Sequence, residues 1–72
     1  MPKNEARVSN AQEALEHYVI DLKREHFEES EEEITDLITD LLLLAHKYGY
    51  DQDVIDAILN MARTNFESEK GN

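Results

Sequence analysis

The sequence has no cysteine and no tryptophan, one proline, two glycines and only seven basic residues among 72. Without cysteine there is neither a disulfide framework nor a thiolate metal site, and a reducing compartment is the natural setting. The two glycines, Gly49 and Gly71, stand alone, so no glycine-rich loop can cradle a phosphate. No apolar run approaches the ~18 residues that a membrane helix needs. Met1 to Asn10 lacks the apolar segment of a secretory signal. A cytoplasmic location is expected, with no membrane partner.

What remains is a short, acidic, leucine- and isoleucine-rich chain. Its length allows one domain, residues 1–72, and a small core. A chain of this size hides only about 60% of the surface its unfolded form exposes. Disulfides, metals or self-association usually make up the deficit, and association is the route this composition favours. Seventeen acids against seven bases give a net charge of −10. The imbalance lies in the second part: residues 28–72 hold twelve of the acids and three of the bases. Such a surface repels nucleic acid and suits cationic partners, or serves solubility alone.

Apolar spacing predicts three helices, at about residues 10–26, 31–48 and 52–69, after a flexible arm over 1–8. In the first, Ser9 and Gln12 have capping-box spacing, and Ala11, Ala14, Leu15, Tyr18 and Leu22 form a stripe. The second begins with Ser30 and Glu33, again a capping box, and Glu31, Glu32 and Glu33 suit the helix dipole. Its stripe is Ile34, Leu37, Ile38, Leu41, Leu44, Ala45 and Tyr48, with Gly49 placed to end it. Asp51 caps the third helix, whose inner face is Val54, Ile55, Ile58, Leu59, Met61, Ala62 and Phe66, with Gly71 as terminator. The short link Phe27-Glu28-Glu29 predicts an antiparallel hairpin of helices 1 and 2. The expected fold is all-α, a three-helix domain prone to self-association.

Residues able to carry chemistry are few. Ser9 and Ser30 serve as caps, and none of His17, His26 and His46 has a second histidine at the i+4 spacing of helical zinc sites. Glu13, His17 and Asp21 share a face at i+4 steps, which reads as a solvated polar surface. Glu32, Asp36 and Asp40 form an i, i+4, i+8 ladder of like charge, an arrangement that weakens a helix slightly. Oxygen-rich clusters of this kind suit Mg²⁺.

The segment EEITDLITDLLLLAHKYGYD, continuing into NFESE, resembles the second half of MazG-type all-α nucleoside triphosphate pyrophosphohydrolases. That resemblance implies Mg²⁺ held between an E-E-x-x-E helix and an E-x-x-D helix, with Glu33 and Asp36 matching the second motif. Glu13 and Glu16 match the first only in part, because its doubled glutamate is missing. In a hairpin turning near Glu28, Asp36 lies level with about Asp21. Glu33 likewise lies level with about Arg24, so at 1.5 Å per residue Glu16 is about 7 Å from the level of Asp36, and Glu13 about 16 Å from that of Glu33. The pattern from Asp36 to about Glu69 also resembles short acidic helical proteins of bacteria, plasmids and phages, a likeness of fold that carries no site.

Three apolar residues fall outside the stripes. At 100° per residue, Leu43 points opposite Leu41, while Ile20 and Phe27 point away from the first helix's stripe. Together they suggest a second buried surface, a homodimer contact or a partner-binding face. The first functional reading is therefore a non-catalytic protein-interaction module that binds itself or a protein partner. It needs no cofactor and makes no direct contact with nucleic acid. The alternative is an acidic inhibitor from a mobile element that imitates nucleic-acid charge. A Mg²⁺-dependent nucleotide pyrophosphohydrolase is the second alternative.

Overall fold

Helix α1 spans Glu5–Glu16 and runs directly into a π-helical turn, His17–Leu22; α2 spans Glu31–Lys47 and α3 spans Gln52–Glu69. This computed structural model describes residues 5–70, and none of those residues forms a strand. The protein is all-α, as the apolar spacing predicts.

Helix α2 is fixed at both ends by its own sequence. The Ser30 hydroxyl accepts the Glu33 N–H at 3.3 Å, and the Glu33 carboxylate accepts the Ser30 N–H at 3.0 Å. This is the reciprocal box that satisfies two otherwise unpaired backbone donors. At the other end Gly49 takes φ +88, a left-handed conformation that an L side chain resists. Its N–H donates to the His46 carbonyl at 3.0 Å, and the Tyr50 N–H donates to the Ala45 carbonyl at 3.2 Å. Those two bonds make a Schellman motif. Helix α3 is capped by Asp51, whose carboxylate accepts the Val54 N–H at 3.0 Å.

The first helix departs from expectation. It begins at Glu5, so the arm expected over residues 1–8 is helical in its second half, and Ser9 sits inside α1 rather than at its cap. Residues 1–4 and the expected terminator Gly71 lie outside the described residues. The helix also ends earlier than residue 26. The Lys23 N–H reaches back five residues to the Tyr18 carbonyl at 2.9 Å, and the Glu25 N–H reaches the Val19 carbonyl at 2.9 Å. Arg24 then takes φ +59, which breaks the helix and lengthens the link to residues 23–30.

Little of the apolar surface is covered. Among the described residues Val19, at 0% exposure, and Ala45, at 7%, are the buried apolar side chains. On the α2 stripe Ile34, Ile38, Leu41, Leu44 and Tyr48 are exposed; on α3 so are Val54, Ile58, Leu59, Met61 and Phe66. The chain's accessible surface is 6086 Å², whereas a folded monomer of its mass exposes about 4,600 Å². Its radius of gyration is 13.8 Å, against about 11 Å for a compact chain of this length. The extents of 35 × 34 × 17 Å describe a plate.

Candidate interaction surface

The helical spacing of α1 and α2 builds an open groove between them. Val8, Ala11, Gln12 and Leu15 line it from α1, and Ile34, Leu37, Ile38 and Leu41 from α2. Phe27 and Glu29 contribute from the link, and the groove encloses about 360 Å³. Around Val8 and Ala11 it continues into a second hollow of about 420 Å³, lined on the far side by Ala62, Asn65, Phe66 and Glu69 of α3. An ion pair from Arg7 to Glu69, at 3.3 Å, spans that end. The two hollows, one between α1 and α2 and one between α1 and α3, adjoin at Val8 and Ala11 and together make a concave, largely apolar side of the molecule.

The π-helical turn ties α1 to α2. On an α-helix, residues five apart lie about 140° from each other; the i−5 bond of the wider turn instead brings Tyr18 and Lys23 onto one side. The Tyr18 hydroxyl donates to the Asp40 carboxylate. Lys23 Nζ donates to Asp36 at 2.9 Å, approaches Glu25 at 3.3 Å and lies 5.2 Å from the Tyr18 ring centroid. The hydrogen bond to Asp36 raises the Lys23 pKa against the opposing effect of desolvation, and the bond to Asp40 raises that of Tyr18. In this register Asp36 meets Lys23, two residues beyond the level of Asp21 expected for the hairpin.

Glu33 is a buried carboxylate, 8% exposed. Besides closing the capping box it accepts the Glu28 N–H at 2.9 Å, which fastens the link to the start of α2. Backbone donation from Glu28, followed by that from Ser30, lowers its pKa against the upward pull of desolvation. The E-x-x-D pair is therefore engaged within the chain: Glu33 by backbone N–H groups and Asp36 by Lys23. Glu16 accepts from Gln12 at 3.2 Å, and Glu13 is exposed on α1. Among the described residues no group of three or more His, Cys, Asp and Glu is placed to hold a metal ion.

The three stray apolar residues separate. Phe27 is half-buried and lines the groove, whereas Ile20 and Leu43, exposed at 46% and 62%, do not. Two residues absent from the stripes read in the sequence matter here. Val19, the most buried side chain, stands four residues after Leu15, so the stripe itself could have included it. Lys23 gave no such signal, because its alignment with Tyr18 depends on the π-helical turn. His17 bonds Asp21 at 2.9 Å on the polar face expected for them.

The acids of the link and α2 divide likewise. Glu28, Glu29, Glu31 and Glu32 are exposed, whereas Glu33 is buried and Asp36 half-buried, each bonded within the chain, and Asp40 is exposed but bonded to Tyr18. Among the described residues no helix is long and apolar enough to cross a membrane. Compared with protein-family models, curated proteins and solved structures, the chain matches none of them.

Proposed function

We propose that this protein is a non-catalytic protein-interaction module, an acidic all-α chain whose apolar surface is completed by another protein chain. One observation carries the reading: the stripes of α2 and α3 have the periodicity of core faces, yet among their large side chains only Leu37 and Ile55 are half-buried and the others stand exposed. A monomer seldom leaves so much contiguous apolar surface uncovered unless it serves binding. The occupied state of Glu33 and Asp36 favours this reading over Mg²⁺-dependent nucleotide hydrolysis.

The test is unfolding followed by circular dichroism across a wide range of protein concentrations, with binding of a hydrophobic dye measured alongside. Completion by a copy of itself makes the midpoint rise with concentration. Completion by a different protein leaves the isolated chain dye-binding and poorly cooperative. A cooperative, concentration-independent transition without dye binding would falsify the proposal.

A second reading rests on the exposed patch of Glu28, Glu29, Glu31 and Glu32, which suits a basic groove in a partner. Inhibition by charge imitation predicts binding that weakens steeply as salt rises. Salt-insensitive binding to such a partner argues against it.

A further inference from the structure

Resting on the interaction reading, we infer that the occupant of the concave face is a second copy of this chain, stacked face to face about a two-fold axis that passes near Ile38.

Area supports a second copy. The surface beyond that of a compact monomer is about 1,500 Å² per chain, hence about 3,000 Å² for a pair, within the 2,000–5,000 Å² typical of obligate homodimers. Shape agrees. Two plates of 35 × 34 × 17 Å laid face to face give a particle of nearly equal dimensions, the form a single core favours. The face presents Leu15, Ile34, Ile38, Leu41 and Phe66, a set that can pack against its own image as an isologous contact requires.

Charge fixes the orientation. Helix α2 has Glu31, Glu32 and Glu33 in its first turn and His46 and Lys47 in its last. A two-fold axis perpendicular to α2 near its middle pairs the helices in opposite directions, setting the acidic end of each towards the basic end of the other. A parallel crossing instead places both acidic ends together. Leu43 lies away from the concave face, and the assembly leaves it accessible.

The experiment uses the full chain and measures molar mass by light scattering. The wild type should weigh about two copies, Ile38→Glu one copy, and Leu43→Glu two. Because Ile38→Glu risks unfolding the chain, the natural absence of cysteine supplies a milder probe. In Ile38→Cys the thiol should react with a disulfide reagent at least tenfold more slowly than in Leu43→Cys, and dilution below the dissociation constant should abolish the difference. Three outcomes overturn the inference. A wild-type monomer that binds hydrophobic dye removes the second copy while leaving a different protein as occupant. A dimer that protects Leu43→Cys and exposes Ile38→Cys removes the concave face while self-association stands. A mass above two copies removes the closed two-fold pair.

Discussion

Gly49 and Glu33 hold the two ends of α2 by different physics, and each makes a separate prediction. A Cβ placed at Gly49 would meet nothing within 4 Å, so the cost of a side chain there is purely that of a left-handed backbone. Gly49→Ala should lower stability by about 1–2 kcal/mol, and Gly49→Asn by less, as read from urea midpoints at one protein concentration. At the other end, Ser30→Ala should cost about 1 kcal/mol for the lost cap. Glu33 makes stability depend on pH. Its folded-state pKa lies below the ordinary 4.5, so its contribution is complete above that value and is lost as pH falls through the lower, folded value. Glu33→Gln removes the charge and one of the two acceptors, because both carboxylate oxygens take backbone N–H groups and an amide offers a single oxygen. Its melting-temperature deficit relative to wild type should be constant near neutral pH and shrink below about pH 4.5. A deficit that persists unchanged into strong acid would show that the carboxylate's charge plays no part.

At the scale of elements, the residues legible in the sequence are those whose geometry is local. Ser30 with Glu33, Asp51 with Val54, and Gly49 after Lys47 each act within one turn, and helices α2 and α3 begin and end close to where those residues place them. The end of the first helix was not legible, because a π-helical turn has no compositional signature and depends on what the helix packs against. Tyr18 and Lys23 are aligned by that turn so that Asp40 and Asp36 on α2 are both reached. The groove was legible on its α2 side, where Ile34, Leu37, Ile38 and Leu41 belong to the stripe, but only through Ala11 and Leu15 on α1, because Val8 reads as part of the arm. The exposure of both sides was not legible, since periodicity says which face is buried, not by which chain. Deleting Asp21 places the lysine four residues after Tyr18, the spacing at which an ordinary α-turn aligns side chains. The shortened protein should keep its helical content and melt no lower than wild type, measured by circular dichroism. A lower melting temperature with lost cooperativity would show that the π-helical turn is needed for packing rather than merely tolerated, as such turns at functional positions often are.

For the whole molecule, an apolar face and a charge of −10 pull in opposite directions. Bringing two copies together concentrates like charge, so self-association works against a long-range repulsion that salt can screen. Raising ionic strength from about 0.01 M to about 0.15 M shortens the screening length from about 30 Å to about 8 Å, well within the width of the plate. The dimer's dissociation constant, measured by sedimentation equilibrium, should therefore fall severalfold over that range. Lowering pH towards the carboxylate range should act in the same direction until Glu33 is protonated and α2 loses its clamp. Contact between the Glu28–Glu32 patch and a basic partner has the opposite dependence, because screening there removes an attraction. The sign of the salt effect thus separates the two uses of the surface: association tightened by salt belongs to the concave apolar face, and association loosened by salt belongs to the acidic rim. Within the dimer the pairing of the acidic and basic ends of α2 opposes the repulsion between copies, so Lys47→Gln should steepen the fall of the dissociation constant with salt. An unchanged slope would remove the electrostatic basis of the crossing direction inferred for α2.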